Sequence, residues 1–316
     1  ALNYTVKEEN VPEGYTLSID DKDPAHLVLT NKHEPTVTQV KVTKKWDDAN
    51  NQDGLRPKEI RVQLYAGDQK LGKEVVLSAD NKWTHTFEKL AEKANGQEIH
   101  YSVKEVAVPE GYAVTEESKE KGHIVLTNTQ TPSTVDIPVT KIWVDNDNQD
   151  GLRPAKITVK LLANGGEVAR KDITSETDWK ETFTGLPKFK DGKEIVYTLQ
   201  EEKVENYSPS IDQESYTITN THTPGKTTLS VTKQWDDANN QDGLRPKSVK
   251  VQLYADGKKS GEVIELSAEN KWTHTFADLD KNVKGKAITY TVEEVDVPTG
   301  YQVTKTDDGQ GNVVLT

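Results

Sequence analysis

One stretch occurs three times in this chain and limits its fold more than any other feature. It reads VTKKWDDANNQDGLRP at Val42–Pro57, VTKIWVDNDNQDGLRP at Val139–Pro154 and VTKQWDDANNQDGLRP at Val231–Pro246. Its first five residues alternate as a strand, with Val42, Lys44 and Trp46 on one face and Thr43 and Lys45 on the other. A valine and a tryptophan mark that face as buried, which makes the lysine between them anomalous, because lysine is almost never fully buried without a partner. Lys141 and Lys233 hold the same position in the other copies.

The copies recur at a spacing of about 95 residues, too long for a solenoid repeat and right for a tandem array of whole domains. Short Thr/Pro linkers separate them at His33–Thr36, Gln130–Ser133 and His222–Gly225. The expected units are therefore 35–131, 132–223 and 224–316. Proline shortens and stiffens each linker, so the sequence predicts an extended rod of beads. Residues 1–34 match only the last part of a unit: Tyr4–Glu8 parallels Tyr101–Glu105, and Leu29-Thr30-Asn31 parallels Leu126-Thr127-Asn128. With no initiating methionine and a partial unit at its start, the chain is expected to be an excerpt of a longer array.

Within a unit the pattern is strands throughout. Ile60, Val62 and Leu64 alternate with Arg61 and Gln63; Trp83, His85 and Phe87 alternate in the next core segment, and Tyr101, Val103 and Glu105 in a later one. Turn signals fall between them at Asn51–Gly54, Ala66–Asp68, Asn95-Gly96 and Pro109–Gly111. About seven short strands per unit predict an all-β chain of tandem Greek-key β-sandwiches of immunoglobulin-like size. The 33% hydrophobic and 29% charged content suits several thin cores better than one large one. A net charge of −12 argues against nucleic acid as a partner, and no run of 18 apolar residues predicts membrane insertion. With no cysteine, disulfides and thiolate metal sites are excluded, so any covalent staple has to come from other chemistry.

Three inward polar residues recur per unit. The first is Lys44, Lys141 or Lys233 in the first strand. The second is Glu105, Glu201 or Glu294, which ends Tyr-x-(Val/Leu)-x-Glu and shares a face with two apolar residues; parity selects Glu201 over Glu202 and Glu294 over Glu293. The third is Asn128 or Asn220 in the last strand. Burial disfavours the charged form of both lysine and glutamate. A neutral amine is a nucleophile, an asparagine amide is a carbonyl with a leaving group, and a protonated glutamate can polarise that carbonyl and carry protons to departing ammonia. The product would be a Lys–Asn amide joining the first and last strands. Residue chemistry alone leaves a second reading open, in which Lys and Glu form a plain buried salt bridge. No asparagine follows Thr316, so the third unit is expected to hold Lys233 and Glu294 without an acyl partner. The N-terminal fragment offers Glu8 and Asn31 without a lysine.

The combination Val-Thr-Lys-x-Trp, Asn-Gln-Asp-Gly-Leu-Arg-Pro, Tyr-x-(Val/Leu)-x-Glu and (Leu/Ile)-Thr-Asn resembles the B-type (CnaB-like) repeats of the staphylococcal collagen adhesin and of Gram-positive pilins. The resemblance covers essentially the whole chain. It implies intramolecular Lys–Asn isopeptide bonds assisted by an acidic residue, carried to Lys44/Glu105/Asn128 and Lys141/Glu201/Asn220. It also implies an extracellular, wall-attached parent protein in which such units form a stalk for an adhesive domain. On this reading the chain is no enzyme beyond a single internal turnover and needs no cofactor. It is expected to be a monomer whose partners are neighbouring repeats. The rival class is a module that itself binds a host matrix protein, which no feature of the sequence indicates.

Weaker signals point to structure. Asn146–Gly151 begins like a calcium loop, but Ile157 stands where a bidentate glutamate is needed, so a turn is expected and no metal. His85 and His274 lie between aromatic positions, with Glu181 in the second copy, and are expected to pack. The six tryptophans, two per unit, are expected to wall the lysine off from water.

Overall fold

A computed structural model describes residue 2 and residues 4–316; Ala1 and Asn3, which fall in the expected partial unit 1–34, lie outside the described residues. The chain is all-β apart from a single short 3-10 turn at Ser175–Thr177 among the described residues. Its contacts divide it into two compact units, Ala1–Val135 with Gly185–Ile195, and Asp136–Thr184 with Val196–Thr316.

The first complete repeat shows the architecture. One sheet runs in the order Ala113–Glu120, His123–Thr129, Val37–Asp47, Thr84–Ala91, and the facing sheet runs Gln69–Ser78, Glu59–Ala66, Tyr101–Glu105. First and last strands are therefore sheet neighbours, and they run parallel, with Lys44 opposite Leu126 and Trp46 opposite Asn128. Such a parallel pair requires the chain to cross between sheets on the way, which is the Greek-key element of the sandwich. The alternation read from the sequence is visible in burial: Val40, Val42 and Lys44 are buried while Lys41 and Lys45 are exposed. Between the sheets, Val40, Val42, Ile60, Val62, Leu64, Leu77, Val103, Ile124 and Leu126 form one core, edged by Trp46, Trp83 and Phe87.

The second and third repeats use the same order. Their four-stranded sheets run Lys180–Pro187, Thr134–Val144, Thr217–Thr221, Ser208–Asp212, and Thr273–Asp280, Lys226–Lys233, Asn312–Leu315, Lys305–Asp307. Each repeat also carries a two-residue-turn hairpin, at Lys93–Glu98, Phe189–Glu194 and Asn282–Ala287.

Two expectations change. Trp83 does not belong to the core strand, which begins at Thr84. Lys82 and Trp83 have φ of 53° and 59°, and the turn they make brings the Trp83 carbonyl 2.8 Å from the Lys44 N–H. Side-chain alternation hid this, because a left-handed residue can still point its ring inward. Residues 4–8 form no strand, and among the described residues of the fragment only Tyr15–Asp23 and His26–His33 pair. A five-residue segment has no facing strands there to complete a sandwich, and Tyr4 stays 79% exposed.

Candidate functional site

Each site is built from both sheets. Lys44 and Asn128 come from the parallel terminal strands of one sheet, and Glu105 from the end of Tyr101–Glu105 in the other. The sandwich gap puts the carboxylate between them. Lys44 Nζ lies 3.4 Å from Glu105 Oε2, and Asn128 Nδ2 donates to Glu105 Oε1 at 3.1 Å. Both ionic side chains are fully buried. In the second repeat Lys141 Nζ is 3.1 Å from Glu201 Oε1, which also accepts from Asn220 Nδ2 at 3.1 Å. In the third, Lys233 Nζ lies 3.3 Å from Glu294 Oε2. Glu202, the residue that strand parity sets aside, is 45% exposed on its side chain. In the fragment Asn31 Nδ2 donates to Glu8 Oε1 at 3.0 Å, on an exposed surface.

The buried groups are poorly satisfied. Lys44 Nζ, Lys141 Nζ, Asn128 Oδ1 and Asn220 Oδ1 have no hydrogen-bond partner, and neither carboxylate oxygen of Glu294 has one. Ion-pair contact without good hydrogen-bond geometry offsets little of the desolvation of an ammonium. Burial accordingly pushes Lys44 and Lys141 down to about 8, against the opposing pull of Glu105 and Glu201. The neutral, nucleophilic share of each amine near neutral pH is thereby raised well above that of an ordinary lysine.

A tryptophan forms one wall. Lys44 Nζ sits 4.5 Å from the Trp46 ring centre, and Trp83 and Tyr112 meet that ring edge-on at 5.3 and 5.1 Å. Trp143 and Trp235 repeat the contact with Lys141 and Lys233 at 4.5 and 4.6 Å.

Sequence reasoning missed the group that holds this tryptophan. Asp48, buried, accepts two hydrogen bonds from Arg56, at 2.9 Å from Nε and 2.5 Å from Nη2, and one from Tyr112 Oη at 2.8 Å. The Arg56 guanidinium lies 5.5 Å from the Trp46 ring centre. Burial raises the Asp48 carboxyl, but Arg56, the Asn51 N–H and Tyr112 outweigh it and hold it below the usual carboxylate range. Asp145/Arg153/Tyr207 and Asp237/Arg245/Tyr301 repeat the clamp. The available signal was the fixed distance from Trp-x-Asp to Leu-Arg-Pro, an aspartate and an arginine that recur together in every copy. The same clamp explains the calcium-like loop: Asp145 has its oxygens on Arg153 and Tyr207, and Asn148 N–H caps it at 3.0 Å.

His85 and His274 pack edge-on against Phe87 and Phe276 at 4.7 Å, while Glu181 pairs with Lys171 at 2.9 Å.

Comparison with known proteins bears on the whole chain. The sequence matches the family model of the Cna protein B-type domain over residues 40–129, 137–221 and 229–316. It is 45% identical to the collagen adhesin of Staphylococcus aureus over 315 residues, all of this chain but 26% of that protein, so it spans about a quarter of that relative's length. The crystal structure of two B repeat units of the S. aureus collagen binding protein superimposes with a TM-score of 0.58 at 45% identity, covering 96% of this chain and 80% of that one. A single B repeat unit of the same protein is 48% identical, covering 58% of this chain and 97% of its own, with a TM-score of 0.28.

Proposed function

Because the chain belongs to the Cna protein B-type domain family, we propose that it is the structural stalk of a Gram-positive cell-surface adhesin, hardened by self-formed Lys–Asn isopeptide bonds. One observation carries this reading: a lysine and an asparagine from the terminal strands meet one buried carboxylate, twice over. The proposed units are 35–131, 132–223 and 224–316, in a parent protein exposed outside the cell and attached to its wall.

The chemistry follows from the geometry. Lys44 gives a proton to Glu105 through Oε2, and the neutral Nζ attacks Cγ of Asn128. A new C–N bond forms and negative charge develops on Oδ1. Glu105, now a carboxylic acid, returns a proton to Nδ2 through the 3.1 Å contact, the C–Nδ2 bond breaks, and the second proton still on Nζ passes by way of Glu105 to the departing ammonia, which leaves as ammonium. Rotation of the asparagine amide about its terminal bond would let the same protonated Glu105 donate to Oδ1 before attack. Atoms balance with loss of one ammonia per bond. Trp46 and the core exclude water that would otherwise solvate the amine and compete at the carbonyl.

The mechanical consequence is direct. Force along the chain enters a unit before Lys44 and leaves after Asn128, pulling two hydrogen-bonded parallel strands in opposite directions. Without a crosslink, the intervening residues could pay out on the order of 280–300 Å when stretched. With it, none of that length is available. Tryptic peptide mapping tests the reading: branched peptides joining Lys44 to Asn128 and Lys141 to Asn220 support it, and linear peptides carrying both residues unmodified refute it.

A further inference from the structure

The carboxylate at each crosslink site is taken up by the amine and the leaving group, not by the atom on which charge develops. Glu105 Oε1 accepts from Asn128 Nδ2 at 3.1 Å, and Oε2 faces Lys44 Nζ at 3.4 Å. In the second repeat Glu201 Oε1 serves both Asn220 Nδ2 and Lys141 Nζ, each at 3.1 Å. Attack on Cγ drives an electron pair onto Oδ1 of the asparagine, and that atom is buried without a hydrogen-bond partner in both repeats. An unpaired charge there is far costlier than the neutral amide oxygen it replaces, so the reaction calls for a donor at Oδ1. Turning the amide over would bring Oδ1 to Glu105 only by taking Nδ2 away from the proton it needs to leave.

A donor stands beside it. Trp46 is directly opposite Asn128 on the adjoining parallel strand, and Trp143 is directly opposite Asn220. Residues opposite one another share a face of the sheet, on strands about 4.8 Å apart. Nε1 of Trp46 and Nε1 of Trp143 are buried and have no hydrogen-bond partner. A buried donor and a buried acceptor, both unpaired, thus lie across one register position, and do so twice. Native interiors leave few polar groups in that state, and those they leave call for an explanation, a catalytic role among them.

The ring is turned to suit. Lys44 Nζ lies over its face, 4.5 Å from the centre, and Lys44 is two residues back on the same strand. An indole N–H lies in the ring plane. A ring that turns its face along its own strand therefore directs its edges to the neighbouring strands, one of which carries Asn128. Arg56 and Tyr112 pack against the same ring at 5.5 and 5.1 Å, but both donate to Asp48. That clamp holds the ring and engages the other polar groups around it. Tryptophan is a donor only, so the indole keeps its proton and acts by hydrogen bonding alone.

We propose that the indole N–H of Trp46, and of Trp143 in the second repeat, is the oxyanion donor of the crosslinking reaction. As Nζ bonds to Cγ, the carbonyl π pair moves to Oδ1 and the indole N–H takes up that charge. The amide keeps its present orientation, with Nδ2 on Glu105. The pair then returns from Oδ1, the C–Nδ2 bond breaks, and the nitrogen leaves with the protons that Glu105 passes to it. In the product the same N–H donates to the carbonyl oxygen of the Lys–Asn amide, so neither group stays unpaired. Tryptophan is required here for its N–H as well as for its bulk.

This role rests on the self-formed bonds proposed above, and the test keeps the two apart. Full-length chain is freshly synthesised with benzothienylalanine in place of Trp46, which keeps the ring and puts sulfur where the N–H was. Peptide mapping over time follows both bonds, beside wild type. Loss of the donor predicts that the Lys44–Asn128 bond forms at least roughly tenfold more slowly, while Lys141–Asn220 in the same molecules keeps its wild-type rate. A purely packing role would leave both rates unchanged, since the analogue fills the same space. In the finished wild-type protein, a trans-hydrogen-bond coupling in the NMR spectrum should join Trp46 Nε1 to the former Cγ of Asn128. An unchanged Lys44–Asn128 rate in the analogue, or crosslinked protein without that coupling, overturns the proposal. Wild-type chain that forms neither bond overturns the self-formed bonds and this proposal with them.

Discussion

Lys44 and Asn128 project from the same face of two adjacent parallel strands, two positions out of register, with Glu105 reaching both from the opposite sheet. The offset matters because side chains directly opposite each other, Lys44 and Leu126, would leave no carbonyl in reach of the amine. Trp46, opposite Asn128, closes the site from the side.

Replacing Glu105 by Gln removes the proton carrier while keeping shape and amide contacts. The first repeat should then keep its ammonia, while the second, with Glu201 intact, still loses one. Its thermal midpoint should fall, since a covalent link closing a loop of this length contributes about 3–5 kcal/mol. Intact mass and a thermal scan on one sample check both.

Bond formation should depend on pH through the amine. Lys44 and Lys141 sit at about 8 because burial disfavours the ammonium. Because the proton that leaves Lys44 is the one Glu105 then uses as an acid, the rate should stay level from pH 6 to about 8 and fall above it, as the pair loses that shared proton to solvent. Freshly synthesised chain, sampled by mass over time at each pH, gives the profile. A rate that climbs steadily from pH 6 to 8 would show that the amine loses its proton to solvent and not to Glu105.

Much of this is legible in the sequence. Alternation gave away the strands because each sheet has one face on the core, and the same parity put lysine, glutamate and asparagine inward. The clamp was less legible, because Asp48 and Arg56 are separated by a loop whose left-handed residues, Ala49 to Asn51, obey no strand or helix period. Trp83 misled for a related reason: its ring packs on the core from a turn.

The clamp should be worth more than a surface ion pair. Arg56→Ala strands the fully buried Asp48 carboxylate, for which breaking a buried pair costs about 3–5 kcal/mol, less here because Arg56 keeps 24% of its side chain in water. Arg56→Lys should recover only part of the loss, since an ammonium cannot reproduce the two-pronged contact. Denaturant titration in a Lys44→Ala background, where no crosslink masks unfolding, measures both.

His222 adds a pH response near neutrality. Its hydrogen bond with Asp150 raises its pKa, with burial opposing, while the same bond first among its partners lowers that of Asp150. Asp145 adds attraction and the Tyr207 ring packs at 5.5 Å. A raised histidine contributes fully below its unfolded value near 6.5, and that contribution is lost as pH rises through its folded value; the Asp150 share is lost only as pH falls through its own lowered value. Exchange at the Gly285 N–H, which donates to Gln149 O at 3.0 Å, should therefore quicken as pH rises through the His222 titration, once corrected for its intrinsic pH dependence. His222→Gln, the residue type at Gln130, should flatten the response.

The mass of the intact, denatured 316-residue chain tests the central claim most directly. Two self-formed Lys–Asn bonds predict the calculated mass less two ammonias, with one restored by Lys44→Ala and the other by Lys141→Ala. A wild-type chain at its full calculated mass would contradict the account and leave Lys44–Glu105 and Lys141–Glu201 as buried salt bridges.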